Sequence, residues 1–156
     1  IADALSHAED FSAGESLAVI LGDNIFENHF FESVSNFKGG AMIFLKEVDD
    51  PQRFGVPVFD ESNSKIIKIE EKPQSPKSNY AQTGFYIVDS GVFSFIKELK
   101  PSGRGELEMT DLINKYLSRG ELGHAVVNGQ WLDAGTIESL LEASNQIAKW
   151  KNEGKI

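Results

Sequence analysis

A short apolar run that ends in polar residues constrains the fold of this chain more than any other feature. Residues 17–21 are continuously apolar and rich in branched side chains, and Gly22, Asp23 and Asn24 follow directly. Such a run predicts a strand that is buried on both faces, as in a parallel sheet covered by helices. In sheets of this kind, ligands bind beyond the carboxyl ends of the strands. The sequence therefore predicts polar ligand-binding residues just after this strand.

Strand and helix patterns alternate along the rest of the chain. Apolar spacing predicts helices at 26–37, 91–99, 109–117 and 137–150, strands at 41–48, 84–88, 125–127 and 131–132, and a hairpin from 56–59 and 66–69. Thr136 is expected to cap the last helix, and Thr110 or Asp111 the helix before it. We find no internal repeat and no linker. The alternation favours a single α/β domain over residues 1–156, with a mostly parallel central sheet flanked by helices and an added antiparallel hairpin.

Both ends of the chain carry helical patterns with an apolar face. The last helix is expected to bury Ile137, Leu140, Leu141, Ser144, Ile147 and Trp150. At the other end, a helical spacing of apolar residues starts at Ile1, with no preceding Met and before any strand. We therefore expect a fragment whose amino-terminal part is missing.

The composition excludes several classes of protein. The chain has 15 Lys and Arg against 24 Asp and Glu, a net charge of −9, and it has no Cys. This surplus of acid argues against nucleic acid or an anionic membrane as the main partner, whereas a local cluster of cations can still bind a small anion. Without Cys there is no disulfide, thiolate metal site or cysteine nucleophile, and a cytoplasmic location is the simplest interpretation. No apolar run approaches the roughly 20 residues that cross a bilayer.

Two carboxylates follow apolar strands. Asp23 and Asp133 each come directly after such a segment, and each has a glycine within two residues. If the two strands are neighbours, the carboxylates converge and could ligate Mg²⁺, which usually takes one or two carboxylates together with phosphate and water. The alternative is that each Asp only ends a strand or caps the following segment.

Two cations lie in loop sequences that suit phosphate binding. Lys72 follows Glu71, and Pro73 is expected to hold Lys72 in an extended conformation. Arg104 lies between two glycines, where a guanidinium could bind a phosphate through two hydrogen bonds. For the Glu71 and Lys72 pair, the alternative is a solvated ion pair on an exposed loop.

Six sequence blocks together indicate a family. They are residues 19–24, 53–56, 69–73, 81–84, 104–111 and 131–136, and they read VILGDN, RFGV, IEEKP, AQTG, RGELEMTD and WLDAGT. They occur in this order and are spread along nearly the whole chain, and they resemble the sugar-phosphate nucleotidylyltransferases. The Gly-Glu-Leu-Glu and Trp-Leu-Asp blocks resemble the branch of glucose-1-phosphate thymidylyltransferases rather than the uridylyl or adenylyl branches.

The resemblance implies a Rossmann-like nucleotide-diphospho-sugar transferase fold and a role for each matching residue. Asp23 and Asp133 would ligate Mg²⁺, Lys72 and Arg104 would hold the sugar phosphate, Glu71 would bind sugar hydroxyls, Asn24 would contact substrate, and Gly55, Tyr86, Trp131 and the backbone at Gln82 would shape the sugar pocket. The family more often has Val at the position of Gln82. The family's glycine-rich triphosphate loop has no counterpart in residues 1–156. The chain would therefore be the carboxy-terminal, sugar- and metal-binding portion of a nucleotidylyltransferase.

The activity implied by the resemblance is the formation of dTDP-glucose and pyrophosphate from dTTP and glucose 1-phosphate by a longer parent protein, expected to be a homo-oligomer. The alternatives within the same chemistry are UTP or another sugar 1-phosphate as substrate. A different class is a non-catalytic fragment that only binds a sugar phosphate, and we expect the chain alone to be nearly inactive. A metal-dependent glycosyltransferase is disfavoured because its Asp-x-Asp pair is absent at Asp23, where Ile25 follows Asn24.

Overall fold

The computed structural model describes residues 1–62 and 64–155. Its helices are α1 (Ala2–Ser6), α2 (Glu9–Ser12), α3 (Phe31–Ser35), α4 (Val92–Lys97), α5 (Met109–Ser118) and α6 (Ile137–Asn152), and a 3-10 turn spans Pro51–Arg53. Its strands are β1 (Leu17–Ile20), β2 (Asn24–Phe26), β3 (Ala41–Glu47), β4 (Gly55–Phe59), β5 (Ile66–Glu71), β6 (Tyr80–Val88), β7 (Leu122–Val126) and β8 (Trp131–Asp133).

A four-stranded sheet in the order β1-β6-β3-β7 forms the centre of the fold. β3 pairs in parallel with β7, whereas β6 lies between β1 and β3 and runs antiparallel to both. Three of the four strands thus share one direction, and the sheet is mixed. The predicted α/β class is confirmed, as is the added antiparallel hairpin, which is formed by β4 and β5.

The inner strands of the sheet are covered on both faces. In β3, Ile43, Phe44 and Leu45 are consecutive and all buried, so side chains on both faces of the pleat are shielded from water. Ile43 and Leu45 pack in the larger core with α4 and α5. Phe44 packs on the other face, where its ring stacks 4.9 Å from that of Phe85. Burial on both faces therefore belongs to the centre of the sheet.

The prediction that residues 17–21 are buried on both faces is wrong. β1 is an edge strand, and burial alternates along it, so that Ala18 and Ile20 are exposed. Ile20 is 58% exposed because none of the described helices covers that face of the strand. A continuous apolar run shows that both faces of a strand are apolar, but it does not show whether other elements cover both faces.

The single helix predicted for residues 26–37 is also wrong. Phe26 belongs to β2, and only the five residues of α3 are helical. Phe26 and Phe30 pack edge to face with centroids 5.0 Å apart, and Phe30 also contacts Phe44 and Phe85. The apolar spacing therefore reflects a shared aromatic cluster and not a continuous helix.

The last helix starts as predicted, but most of its predicted face is not buried. Thr136 caps α6 through reciprocal bonds with Ser139. Ile137, Leu140 and Leu141, predicted to be buried, are 84%, 54% and 63% exposed. Ser144 is exposed and Ile147 is half-buried, whereas Trp150 is buried as predicted, together with Ala143, which lies outside the predicted face.

Two small elements project from the sheet and frame the site. β2 and β8 form a two-stranded ribbon in which Asn24 lies opposite Asp133. The β4–β5 hairpin is fixed to α5 by the Asn114 side chain, which accepts from the Ile69 N–H at 2.9 Å and donates to the Ile69 carbonyl at 2.8 Å. Within the described part of the chain, every helix is too short or too polar to cross a membrane.

Candidate active site

One cleft of about 240 Å³ brings together all of the residues that the sequence analysis selected. They are Asp23, Asn24, Gly55, Glu71, Lys72, Gln82, Tyr86, Arg104, Trp131 and Asp133. The ribbon supplies Asp133, and the turn before it supplies Asp23. The hairpin and the segment before α5 supply the charged residues around Arg104, and β6 supplies the floor. Residues that are far apart in sequence therefore line one site.

The two aspartates converge beside Gly135. The Ala134 N–H donates to the Asp23 carbonyl at 2.8 Å, which joins the end of β8 to the turn after β1. A Cβ placed on Gly135 would lie 2.9 Å from Asp133 Oδ1 and 3.4 Å from Asp23 Oδ2. The Asn24 side chain donates to Asp23 Oδ1, and the Gly135 N–H donates to Asp133 Oδ1. Oδ2 of each aspartate has no hydrogen-bond partner among the described residues.

This donor set fits a magnesium ion. Mg²⁺ commonly binds through one or two carboxylates and completes its shell with substrate phosphates and water. Residues 1–62 and 64–155 contain no cluster of three or more His, Cys, Asp or Glu placed for a metal. Because their carboxylates meet beside Gly135, Asp23 and Asp133 could hold such an ion, with the remaining ligands supplied by substrate and solvent.

Asn24 braces the acidic side of the cleft. Its Oδ1 accepts from the Gly84 N–H at 2.8 Å and from the Trp131 indole N–H at 2.6 Å, and its Nδ2 donates to Asp23. A Cβ on Gly84 would lie 2.6 Å from the Asn24 side chain, so β6 approaches Asn24 this closely only because residue 84 is glycine. The sequence selected Asn24 for substrate contact, and the structure uses its amide to link the ribbon to the sheet.

Lys72 is held by an unusual backbone conformation. Its φ is +42°, in the left-handed region, so the prediction of an extended residue before Pro73 is wrong. Its N–H donates to the Phe54 carbonyl at 2.9 Å, which fixes the turn as the chain leaves β5. A non-glycine residue held in this region costs of order 1–3 kcal/mol. The exposed Lys72 side chain has no hydrogen-bond partner in the part of the protein that the structure describes.

Arg104 is bound by two glutamates. Its guanidinium donates to Glu108 through both Nε and Nη2, and Nη2 also donates to Glu71 Oε1 at 3.2 Å. The second oxygen of Glu71 accepts from Thr110. Hydrogen bonding to Glu108 raises the pKa of Arg104 above its ordinary value, which keeps it a cation at any physiological pH.

The partners of these charged residues were not predicted from the sequence. Glu108 lines the cleft and was not selected, although it lies in the Gly-Glu-Leu-Glu block. Thr110 and Asp111 were predicted as helix caps, yet the N-cap of α5 is Glu108 and no side chain caps the helix there. Thr110 instead donates to Glu71. The sequence signal that could have selected Glu108 is its place in the Gly-Glu-Leu-Glu block.

The floor and wall of the cleft are aromatic and amide groups. Gln82 and Tyr86 are buried on β6, and Gln82 Nε2 donates to the Tyr86 hydroxyl at 3.3 Å. Burial raises the pKa of Tyr86 to about 12, so its hydroxyl keeps its proton. Trp131 packs edge to face on Phe54 with ring centroids 5.1 Å apart, next to Gly55. This leaves a pocket with a flat aromatic side and charged rims.

A mixed α/β fold with two acids and two cations in one cleft suits a ligand that carries phosphate together with a metal ion. The family described as nucleotidyl transferase matches residues 1–150. The chain belongs to the nucleotidyl transferase family, which confirms the resemblance carried by the six sequence blocks.

Individual relatives agree with this assignment. Two curated proteins named glucose-1-phosphate thymidylyltransferase are similar: that of Neisseria meningitidis is 41% identical over 97% of this chain and 54% of its own length, and that of Xanthomonas campestris is 44% identical over 94% and 52%. A Bacillus anthracis structure in complex with sucrose, assigned as a glucose-1-phosphate thymidylyltransferase, is 54% identical with a TM-score of 0.85 over 94% of this chain and 60% of that one. The chain spans about half the length of the curated relatives it matches.

Proposed function

We propose that this chain forms the sugar- and metal-binding portion of a glucose-1-phosphate thymidylyltransferase. The full-length protein would join dTTP and glucose 1-phosphate to give dTDP-glucose and pyrophosphate. The observation that carries the proposal is that Asp23 and Asp133 line one cleft together with Lys72 and Arg104. The names of the curated relatives at 41% and 44% identity support the choice of substrates.

The reaction needs no protein nucleophile. A phosphate oxygen of glucose 1-phosphate attacks the α-phosphorus of dTTP, one new P–O bond forms, and the bond to the β-phosphate breaks to release pyrophosphate. Catalysis of such a transfer comes from alignment of the reactants and from neutralisation of their charge. Lys72 and Arg104 bind the sugar phosphate and set the direction of attack.

The acidic pair and the hexose pocket have separate tasks. Asp23 and Asp133 would hold Mg²⁺, which when bound supplies positive charge to the phosphate oxygens. Glu71 binds sugar hydroxyls: each of its oxygens already accepts one bond, from Arg104 and from Thr110, and a carboxylate oxygen can accept a second. Gly55, Gln82, Tyr86 and Trp131 shape the pocket around the hexose ring.

The test is the release of pyrophosphate by the full-length protein with a panel of substrates. dTTP, UTP and ATP are each paired with the 1-phosphates of glucose, galactose and N-acetylglucosamine, and Mg²⁺, Mn²⁺ and Ca²⁺ are compared. We expect the highest kcat/KM for dTTP with glucose 1-phosphate in Mg²⁺. Faster turnover with UTP or with another sugar would place the protein in a different branch of the family.

The alternative of a non-catalytic module is tested on the same protein. Titration calorimetry with glucose 1-phosphate measures binding without turnover. Binding of the sugar phosphate with no pyrophosphate release for any pair of substrates would replace the proposal by a sugar-phosphate-binding module. A homo-oligomeric state and a cytoplasmic location stay predictions, to be measured by light scattering and cell fractionation.

A further inference from the structure

Glu108 is a buried carboxylate at the edge of the cleft with no role in the mechanism above. It lies immediately before α5, and its side chain is only 8% exposed. Ser102 donates to its Oε1 at 2.7 Å, and Arg104 donates through Nε at 3.1 Å and through Nη2 at 3.0 Å to each carboxylate oxygen. Every one of these contacts comes from the short segment that carries Arg104.

The contacts occupy one edge of the Arg104 guanidinium. Glu108 takes the Nε and Nη2 side, and Glu71 takes the remaining direction of Nη2. Nη1 has no protein partner within residues 1–62 and 64–155, and the Arg104 side chain is 44% exposed. Because a guanidinium is planar, fixing one edge also fixes the direction in which the two Nη1 hydrogens point.

The loop alone does not fix this direction. Arg104 lies between Gly103 and Gly105. Apart from the chain neighbours, no atom of residues 1–62 and 64–155 lies within 4 Å of a Cβ built on either glycine, and Gly105 has a φ of +76° that favours glycine. The segment therefore has little side-chain packing of its own to restrict the long Arg104 side chain. The hydrogen bonds to Glu108 provide the missing restraint.

We propose that Glu108 is a positioning residue that holds Arg104 by its Nε and Nη2 edge, so that the Nη1 hydrogens are presented to the phosphate of the sugar 1-phosphate. The role rests on the proposed function, in which Arg104 binds that phosphate. Glu108 itself contacts no substrate. Because Glu108 already restricts the orientation of the Arg104 side chain in the free protein, Arg104 loses less conformational freedom when the phosphate binds. Such preorganisation increases affinity.

A carboxylate suits this role better than its amide. Burial acts to raise the pKa of Glu108, but hydrogen bonds from Ser102 and Arg104 and the charge of Arg104 hold it below its ordinary value, so the group is ionised at neutral pH. An ionised carboxylate accepts from two guanidinium donors at once, whereas an amide presents one acceptor and one N–H₂ group that faces the guanidinium. Glu108→Gln therefore keeps the size of the side chain and removes the two-point contact.

The experiment compares Glu108→Gln with the matched control Glu98→Gln in the full-length protein. Glu98 also forms an ion pair, with Lys115 at 2.8 Å, but it does not line the cleft. We expect Glu108→Gln to raise KM for glucose 1-phosphate by about 10- to 100-fold, the range for losing a hydrogen bond to a charged group, with KM for dTTP changed less than about twofold. Glu98→Gln should change neither constant by more than about twofold.

A double-mutant cycle separates positioning from general support of the fold. In the Arg104→Gln background, Glu108→Gln should alter KM for glucose 1-phosphate by less than about twofold, because Glu108 acts through Arg104. Glu108→Asp, which keeps the charge on a shorter side chain, should recover part of the affinity, and it also serves if the Gln variant does not fold. Equal KM effects of Glu108→Gln in both backgrounds, or a lower Tm with unchanged KM, would overturn the proposal. If the wild-type protein itself shows no turnover, the proposed function fails first.

Discussion

The acidic and the cationic sides of the cleft are built in different ways. On the acidic side, backbone pairing of β2 with β8 places Asp133 opposite Asn24, and each aspartate keeps one carboxylate oxygen without a hydrogen-bond partner among the described residues. On the cationic side, Arg104 is bound by Glu108 and Glu71, and Lys72 is held by a left-handed backbone.

This difference shows where each side is sensitive to substitution. Backbone pairing depends less on side-chain identity than ion pairs do, so the acidic side should tolerate changes away from the two aspartates, Asn24 and the close contact of Asn24 with Gly84. The cationic side depends on ion pairs and on a strained residue, so changes at positions that contact no substrate should alter it. Each of the following predictions tests one half of this comparison or the floor between the two sides.

The largest effect is expected for Asp133→Asn in the full-length protein. The amide keeps the acceptor for the Gly135 N–H but loses the charge that would hold Mg²⁺. Loss of about 4 kcal/mol of transition-state stabilisation corresponds to roughly a thousandfold lower kcat. Initial rates across a Mg²⁺ titration measure the effect, with Asp10→Asn on exposed α2 as the control. A near-normal rate for Asp133→Asn would remove Asp133 from the metal site.

Gly84→Ala should destabilise the acidic side. Its Cβ would lie 2.6 Å from Asn24, which also binds Trp131, so either β6 or the ribbon has to shift. Overpacking of this kind costs about 1–3 kcal/mol, measured by urea unfolding. Gly103→Ala, where a Cβ would meet no other described residue within 4 Å apart from its chain neighbours, should change stability by less than about 0.5 kcal/mol. Equal stability of the two variants would show that the brace does not position the ribbon.

The floor of the cleft should make stability fall at high pH. Burial raises the pKa of Tyr86 to about 12, whereas an unfolded tyrosine titrates near 10. Between these values the unfolded state has lost its proton and the folded state keeps it, so the free energy of unfolding falls as pH rises, by up to about 1.4 kcal/mol per pH unit. Burial also raises the pKa of Tyr116, so Tyr86→Phe should remove only part of the slope. Unfolding curves from pH 9 to 12 test this, and identical slopes for the two proteins would contradict it.

The smallest effect on stability is expected for Lys72→Gly. Relief of the positive φ is offset in part by the greater entropy of an unfolded glycine, so the net gain in stability is about 1 kcal/mol. Affinity for glucose 1-phosphate should fall in the same variant, because the phosphate loses a cation. Lys77→Gly, also exposed but without a positive φ, should lower stability or leave it unchanged. A loss of stability in Lys72→Gly would show that the left-handed turn carries no strain.

Sequence patterns predicted the elements better than their burial. The hairpin, the α/β class and the cap at Thr136 follow from alternation, apolar runs and turn chemistry, which act over a few residues. The exposure of Ile20 and of Ile137 could not be predicted from these local patterns. Periodicity states that a face is apolar, and which surface covers that face depends on elements far away in the sequence.

For the candidate site, the sequence by itself determined the chemistry available: strand-end acids at 23 and 133 and loop cations at 72 and 104. Only the tertiary structure decided that these groups line one cleft, that Asn24 acts as a brace, and that Glu108 binds Arg104. The physical reason is the distance along the chain over which each property acts. Local propensity and charge are properties of a few neighbouring residues, whereas a hydrogen bond between distant residues exists only after strand register and packing have fixed both partners within about 3 Å.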